Sequence, residues 1–558
     1  MTEPSGRRRD ILSLSVLLLA FLLVYAANIH HFRLEALDYV NLTRLREAFS
    51  RGAPGLWGIV DNSILAEPRA YFFSWLVQGL AALAFGFAPA PHFGLVLLTH
   101  LSGALLVLRI ARGCGADEPA TLAAALLYLL FPTATDGVLT LNSWFFVLPS
   151  ALLVLLVHLL LFPLRNRLLD LACVSGTALI GQFSGEQSVP LFYAAFLWYV
   201  LQGGGARDEG PKRRMRRVVL PCLLCLASWT AYWALFTRPY ASGLAWDWSP
   251  RAALLYSWRF LHLLSRTLLA GSRYYGELSV RPGPGSIASS AALLLLLAAA
   301  FRLVRPGPDE GRGRMRPSLP LSLAAGLAAS MLPCVLGALG GLRPDPIPRY
   351  LYIPGLFLGV SLAVLADRLP SRRLAFVVAA FCAGSLTIYQ ERDVWGAQAR
   401  ADERIWEAVD PRLDPGVKYM LLDNPASRRF MPLWHSAAPS DFTEGARGYA
   451  LRSRLRVLRG LDVRPMSSWV RTEGEDVLLK DWKGALFRAR KSEILAVVFQ
   501  PGARLADLPT SPLAVFRDFD AYRSFKKGSA LRPSAASPAN SRGEAGSRQI
   551  LRSTRGSR

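Results

Sequence analysis

The stretch ILSLSVLLLAFLLVYAAN (residues 11–28) is an unbroken apolar segment, preceded by Arg7-Arg8-Arg9 and followed by a polar stretch from His30 to Phe72. Its length approaches the roughly 20 residues that a helix needs to cross a bilayer. The polar stretch holds the acidic residues Glu35, Asp38, Asp61 and Glu67. Carboxylates are costly to bury in lipid, so we expect a first membrane helix that delivers an acidic loop to the membrane interface.

The composition favours a membrane protein. Hydrophobic residues make up 52% of the 558 residues, charged residues only 19%, and the mean hydropathy is +0.28. A soluble chain of this length would carry more charge and would not repeat long apolar runs. The net charge of +24 suggests nucleic acid as an alternative partner, but the arginines gather in short segments between apolar runs. The positive-inside rule explains that pattern, and no nucleic-acid partner is expected.

Apolar segments recur through residues 1–390, and about eleven of them fit a membrane-spanning helix. The predicted spans are Ile11–Asn28, Phe93–Ile110, Thr121–Phe131, Ser143–Phe162, Leu168–Phe183, Val189–Leu201, Val218–Phe236, Ile287–Val304, Leu319–Gly340, Leu351–Ala366 and Leu374–Tyr389. Ala70–Phe87 is also apolar enough to span, but counting it as a span would reverse the orientation of every later segment across the membrane.

Positive charge decides the placement of Ala70–Phe87. If this segment lies on the membrane surface, the basic clusters share one side: Arg7–Arg9, Arg109 with Arg112, Arg165 with Arg167, Lys212–Arg217, Arg302–Arg316 and Arg368–Arg373. If it spans, the first cluster lies opposite all the others. We therefore predict a juxtamembrane helix on the outer face and a cytoplasmic N-terminus. An uncut signal anchor is favoured over a cleaved signal peptide, because cleavage would upset this pattern.

The composition shifts after Glu391. The predicted strands there are Val417–Asp423, Val470–Trp482, Ala485–Ala489 and Ile494–Gln500. The fold class predicted for the whole chain is an all-α polytopic membrane protein with a small extracytoplasmic α/β domain. The membrane domain covers residues 1–390 and the α/β domain residues 391–525. Residues 526–558 are rich in Ser, Ala, Gly and Arg, and we predict a disordered basic tail.

Several short motifs of the membrane domain follow one another in a recognisable order. They are Glu67-Pro-Arg-Ala-Tyr-Phe-Phe-Ser-Trp75, Phe85-Gly-Phe-Ala-Pro89, His100, Ala125-Leu-Leu-Tyr-Leu-Leu-Phe-Pro132, Gly185-Glu-Gln-Ser-Val-Pro190 and Arg349-Tyr-Leu-Tyr-Ile-Pro354. This series resembles the GT-C superfamily, membrane glycosyltransferases that use polyprenyl-phosphate-linked sugars. The resemblance covers Ile11 to Asp367. It implies an enzyme of cell-envelope glycan biosynthesis in a bacterial inner membrane.

Moving a sugar from a lipid phosphate to a hydroxyl needs one base near the acceptor and cations around the departing phosphate. No second acid is needed because phosphate already leaves as a stable anion, whereas most glycosidases use two carboxylates. By its position in the family pattern, Asp38 is the candidate base, and it could also hold a divalent metal, Mg2+ or Mn2+. The alternative is that Asp38 caps or solvates an interfacial helix. Glu186 is the second candidate catalytic carboxylate, or else the partner of an arginine.

Arginines are the expected ligands of the donor phosphate, because the guanidinium fork matches phosphate oxygens. Arg349 and Arg69 are the candidates; for Arg349, contact with lipid headgroups is an equally open alternative. Tyr350 and Tyr352 are expected to line the same pocket, although tyrosines at helix ends are more often interfacial belt residues.

The function that these features indicate is transfer of a sugar from a polyprenyl-phosphate carrier to a glycan, lipid or protein acceptor on the extracytoplasmic side. Motifs for nucleotide binding, zinc proteolysis and serine hydrolysis do not occur in the sequence. Two alternatives stay open. One is a transporter or lipid flippase, which would share the topology. The other is a non-catalytic assembly protein on the same kind of fold.

Overall fold

The structure is a computed structural model. It describes residues 4–31, 36–60, 71–113, 116–131, 144–185, 188–201, 211–237, 249–254, 257–258, 291, 352–354, 356, 385, 403–423, 452, 454–456, 459–481, 485–499 and 513–530. These residues form a helical bundle and two small β-sheets. Of the predicted spans, the four between Ile287 and Tyr389 lie almost wholly outside the described residues, so the count of about eleven stays a prediction.

The helices of the first part of the chain alternate with short connections. Their bounds are α1 Pro4–Val24, α2 Ala36–Ser50, α3 Ala53–Val60, α4 Phe72–Phe85, α5 Pro89–Gly113, α6 Glu118–Leu130, α7 Trp144–Leu161, α8 Arg167–Gln182, α9 Val189–Leu201 and α10 Pro211–Tyr232. A 3-10 helix, Ala26–His31, follows α1, and a π-helical turn, Trp233–Thr237, follows α10. Each predicted span up to Phe236 corresponds to one of these helices.

Within the described part of the chain, three segments are long and apolar enough to cross a membrane: Pro89–Gly113, Trp144–Leu161 and Met215–Phe236. Shorter apolar helices cover Ile11–Val24, Phe72–Phe85, Glu118–Leu130 and Val189–Val200. Several leucines on α1 and α10 are more than half exposed, among them Leu12, Leu19 and Leu223. Apolar side chains exposed along long apolar helices fit a lipid environment and therefore a membrane location.

Side-chain contacts show which helix ends lie together. At one end of the bundle, Arg112 of α5 forms an ion pair of 2.6 Å with Glu118 at the start of α6, and Ser13 of α1 donates to the same carboxylate. At the other end, the hydroxyl of Tyr25, just after α1, donates to the carbonyl of Leu129 at 2.7 Å. We call these the Glu118 end and the Tyr25 end. The neighbouring helices α5 and α6 are therefore antiparallel.

Both ends of α4 lie at the Tyr25 end. Near the start of α4, Ser74 donates to the carbonyl of Ser184 at 2.7 Å, just after the last residue of α8. Because α8 begins at the Glu118 end, where α7 ends, its last residue lies at the Tyr25 end. After the last residue of α4 the chain turns through Gly86, which has φ of 59°, and enters α5 at Pro89. A helix with both ends at one end of the bundle does not cross it. This arrangement fits the surface helix predicted over Ala70–Phe87, whose position relative to the membrane stays a prediction.

The Glu118 end also contains a buried ion pair that joins α8 to α10. The Nε of Arg217 lies 2.7 Å from Asp170, and the two side chains are 4% and 2% exposed. The guanidinium also donates to the hydroxyl of Tyr199 at 2.9 Å and to the carbonyl of Leu159 at 2.8 Å. The Leu159 carbonyl belongs to the last turn of α7, where carbonyls have no partner in their own helix. A buried charge is tolerated when it is paired and hydrogen-bonded in this way.

The described residues from 419 to 530 form seven strands and a C-terminal helix. Their bounds are β1 Tyr419–Asp423, β2 Arg464–Met466, β3 Ser468–Glu473, β4 Asp476–Lys480, β5 Leu486–Arg490, β6 Ile494–Phe499, β7 Leu513–Phe516 and α11 Phe519–Ala530. One sheet has the order β2-β1-β6-β7, in which β1 is parallel to β2 and β6, while β7 is antiparallel to β6. The other is an antiparallel meander, β3-β4-β5.

Both faces of the four-stranded sheet are covered. Along β1, Met420 packs in one apolar cluster with Trp406 and Val409, while the next residue, Leu421, packs in a second cluster with Phe519 and Tyr522. Successive side chains of a strand point to opposite faces, so a strand buried on both sides reads as a continuous apolar run. That run is the signal that predicts β1 and β6.

Three details differ from the sequence-based expectations. Val470–Trp482 does not form one strand, because Gly474 has φ of 62° and turns the chain between β3 and β4. The short strands β2 and β7 were not predicted, since each has only three or four residues to carry a pattern. The predicted disordered tail begins too early, because α11 continues through Lys526 to Ala530.

Candidate active site

Asp38 lies in the first turn of α2. A negative side chain is favourable at this position, because the unpaired N–H groups of a helix start carry partial positive charge. Its side chain is 1% exposed. Carboxylates are rarely so remote from water unless they have polar partners, a structural role or a functional one. The burial therefore distinguishes Asp38 from an ordinary solvated cap.

The helix that carries Asp38 packs closely on α4. Gly79 of α4 lies against the ring of Phe49 of α2, so closely that a Cβ on this glycine would overlap the ring. One turn beyond Asp38, Leu42 is fully buried in the same apolar cluster as Tyr25, Phe93 and Tyr352. Residues four apart share a helix face, so Asp38 lies on the side of α2 that faces this core.

His100, in α5, is the centre of a buried hydrogen-bonded group. Its Nδ1 lies 2.6 Å from the hydroxyl of Tyr352, and its Nε2 lies 3.0 Å from the carbonyl of Leu129. The ring of Tyr128 stacks on the imidazole at 5.2 Å between centroids, and the ring of Tyr25 meets it edge-on at 6.1 Å. We call His100, Tyr352, Tyr25 and Tyr128 the His100 cluster. It joins α1, α5 and α6 to a segment more than two hundred residues later in the chain.

Tyr352 is described in the structure. Its side chain is fully buried and its hydroxyl contacts the Nδ1 of His100. Its predicted place in a donor-phosphate pocket stays a prediction, because the described contact is with a histidine and the neighbouring Arg349 and Tyr350 lie outside the described residues. The sequence motifs include His100, but sequence reasoning did not predict its contacts with Tyr25 and Tyr128. No local pattern marks those two, because their partners are distant in sequence.

Four predicted site residues, Glu186, Arg69, Arg349 and Tyr350, lie outside the described residues. Their described neighbours all lie at the Tyr25 end of the bundle. Two residues after Arg69, the ring of Tyr71 stacks on Phe145 at 4.2 Å. Gly185, just before Glu186, packs against the carbonyl of Phe145, which belongs to the first turn of α7.

The metal prediction stays open. Among the residues that the structure describes, no three histidine, cysteine or carboxylate side chains come together as metal ligands would. Asp38 alone does not define a Mg2+ or Mn2+ site, and we assign no step to a metal.

Aromatic and apolar side chains surround the Tyr25 end where α3 meets α10. The ring of Trp57 meets that of Phe236 at 5.9 Å, and Trp57, Trp233 and Leu235 are 60%, 43% and 68% exposed. Tryptophans concentrate where a protein passes from lipid to water. Leu254, in the short described segment after α10, is 72% exposed.

No protein-family model matches the sequence, and no curated protein matches it. Among solved structures, the crystal structure of ArnT from Cupriavidus metallidurans in the apo state gives a TM-score of 0.36 at 13% sequence identity. That comparison covers 91% of this chain and 95% of ArnT. The structure of the same protein bound to undecaprenyl phosphate gives a TM-score of 0.32 at 12% identity, covering 91% and 96% of the two chains. Both overlaps are long, but both TM-scores are below 0.5.

Proposed function

We propose that the protein is an integral membrane glycosyltransferase of the GT-C type. It moves a hexosyl or pentosyl group from a polyprenyl phosphate, the lipid class to which undecaprenyl phosphate belongs, to an acceptor hydroxyl. The reaction takes place at the Tyr25 end of the bundle, which we assign to the extracytoplasmic side. The N-terminus and the Glu118 end are then cytoplasmic, in agreement with the basic clusters at Arg109–Arg112 and Lys212–Arg217.

One observation carries the proposal. Segments that are far apart in sequence and were each predicted to supply a site residue have described neighbours at the same end of the bundle. The helix of Asp38, α2, follows Tyr25 and the 3-10 helix and packs on α4. Tyr71 and Gly185 both contact Phe145, and Tyr352 contacts His100. Convergence of chemically suitable groups from distant segments is what an active site requires.

In the proposed reaction, Asp38 accepts the proton of the acceptor hydroxyl while the acceptor oxygen attacks the anomeric carbon of the donor sugar. The bond between that carbon and the phosphate oxygen breaks, and the phosphate keeps the electron pair. Arg349 and Arg69 stabilise the charge on the departing phosphate. Glu186 is a second carboxylate of the site. The burial of Asp38 strengthens every charge interaction there because water is largely excluded.

A transporter would offer charged groups to a passing substrate near the middle of the membrane. The most buried ion pair of the described residues, Asp170 with Arg217, instead lies near the starts of α8 and α10 and binds protein groups. That arrangement is structural and gives no support to the transporter alternative.

The test is transfer by the purified full-length protein in liposomes, supplied with radiolabelled polyprenyl-phosphate sugars and membrane lipid extract as acceptor. We expect Asp38→Asn to reduce transfer by at least about 100-fold, because the amide cannot take a proton. Glu47→Gln is the matched control, since Glu47 is on the same helix but exposed. Thermal midpoints of all three proteins separate a lost reaction from a lost fold. Full transfer by Asp38→Asn would remove Asp38 from the mechanism.

A further inference from the structure

We propose that His100 and Tyr352 are positioning residues: their hydrogen bond fixes the Arg349 segment relative to the helix of Asp38. This inference rests on the proposed function and extends it to residues that touch neither donor nor acceptor. It assigns a role to a fully buried pair of polar side chains at the Tyr25 end, for which packing alone would not require polar groups.

The direction of each hydrogen bond follows from the partners. A carbonyl only accepts, so the Nε2 of His100 carries a proton and donates to the carbonyl of Leu129 at 3.0 Å. The Nδ1 of the neutral ring is then an acceptor, and the hydroxyl of Tyr352 donates to it at 2.6 Å. Both side chains are fully buried. The contact is therefore directional, and water does not compete for it.

The carbonyl of Leu129 receives a second donor, the hydroxyl of Tyr25 at 2.7 Å. This carbonyl is in the last turn of α6, where carbonyls lack partners within the helix. The last turn of α6 thus accepts hydrogen bonds from Tyr25, just after α1, and from His100, which in turn accepts from Tyr352. The chain leaves Tyr25 for the 3-10 helix Ala26–His31 and then reaches α2 with Asp38.

Covalent geometry connects the cluster to the proposed chemistry. Arg349 is three residues before Tyr352, and three peptide links span at most about 11 Å between Cα atoms. Fixing Tyr352 therefore confines the region that the Arg349 backbone can reach. The cluster acts on catalysis through geometry, by setting the separation between the phosphate-binding arginine and the base.

Two substitutions of His100 distinguish positioning from packing. His100→Asn places an amide oxygen near the position of Nδ1 and can still accept from Tyr352, whereas His100→Gln places an amide nitrogen near the position of Nε2 and loses that acceptor. Tyr352→Phe removes the donor and keeps the ring. Tyr199→Phe is the matched control, since it also removes one buried tyrosine hydroxyl, at the Glu118 end.

The measurements are kcat per folded enzyme, with an undecaprenyl-phosphate-linked sugar as donor in liposomes, and equilibrium binding of undecaprenyl phosphate. We expect His100→Gln and Tyr352→Phe to lower kcat on the order of 10- to 100-fold, the range that small misplacements cost. The double variant His100→Gln/Tyr352→Phe should be no slower than either single variant, because the same hydrogen bond is lost in each of the three proteins. His100→Asn should stay within about threefold of the wild type, and Tyr199→Phe should match it.

The outcomes separate the two proposals. A wild-type protein that neither transfers sugar nor binds undecaprenyl phosphate would overturn the proposed function. An active wild type whose kcat is unchanged in His100→Gln and Tyr352→Phe would overturn the positioning role alone. Equal losses of kcat in His100→Asn and His100→Gln, together with an additive loss in the double variant His100→Gln/Tyr352→Phe, would also overturn the positioning role. If Tyr352→Phe does not fold, the two His100 variants still decide the question.

Discussion

The helical bundle contains a buried pair of charged side chains, whereas the described charged pairs of the C-terminal α/β domain lie at the surface. In the bundle, Asp170 and Arg217 are almost fully buried, and protein groups surround the guanidinium. In the α/β domain, ion pairs such as Arg452 with Asp462 lie at the surface, with side chains 28% and 54% exposed. The interiors of the α/β domain clusters are apolar.

The difference follows from solvation. Where a charge keeps contact with water, losing its partner costs little, because water replaces it. Where water is absent, the same loss leaves a charge with no compensation. We therefore expect polar substitutions in the bundle to have far larger effects than those in the α/β domain, and the following variants test that contrast.

The largest effect is expected from Arg217→Leu, which leaves Asp170 buried without its cation. Removing one partner of a buried ion pair costs about 3–5 kcal/mol. The expected result is a marked fall in the yield of monodisperse protein and in its thermal midpoint in detergent. The double variant Asp170→Leu/Arg217→Leu should recover much of the loss. Recovery should be incomplete, because Asp170 also accepts from the backbone N–H of Leu164 at 2.8 Å. A wild-type midpoint for the single variant would contradict the contrast.

A smaller effect is expected from helix packing within the bundle. Gly181 of α8 lies against the ring of Phe192 of α9, and a Cβ there would overlap the ring. Gly181→Ala should therefore cost about 1–3 kcal/mol, as overpacking usually does. Gly176, on the same helix, has nothing within 4 Å of an added Cβ. Gly176→Ala should instead stabilise by about 0.5–1 kcal/mol through helix propensity. Thermal midpoints of the two variants should shift in opposite directions from the wild type.

The same contrast explains what could be predicted from the sequence. Apolar runs are local signals, and they predicted the helices up to Phe236 and the strands β1, β5 and β6. Whether each of these helices crosses the membrane stays a prediction. The turn at Gly474 and the short strands β2 and β7 depend on tertiary pairing, so no local run marks them.

The roles of the candidate site residues stay predictions. Asp38 was chosen by its position in a family pattern, and the structure adds that its side chain is buried. The contact of Tyr352 with His100 was not predicted because the two residues are distant in sequence. A tyrosine near a helix end has the same local sequence pattern whether it faces lipid or a histidine. Contacts of that range are set by packing and not by spacing.

The smallest effect is expected for the surface pair in the α/β domain. Arg452 donates to Asp462 at 2.6 and 2.9 Å, and this contact lowers the pKa of the Asp462 carboxyl below its usual value. A lowered pKa in the folded state stabilises the fold above the ordinary carboxyl pKa of about 4, and the contribution disappears as the pH falls through the lower, folded value. Because both groups are partly exposed, the contribution is under about 1 kcal/mol.

Asp462→Asn should therefore lower hydrogen-exchange protection of residues 461–466 by less than about fivefold at pH 7. Below the folded pKa of Asp462, the carboxyl is protonated in the wild type as well, so the two proteins should unfold locally with equal free energy. Acid titration of thermal midpoints in full-length protein measures this convergence. If Asp462→Asn lost as much stability at pH 7 as Arg217→Leu, that result would contradict the distinction between exposed and buried ion pairs.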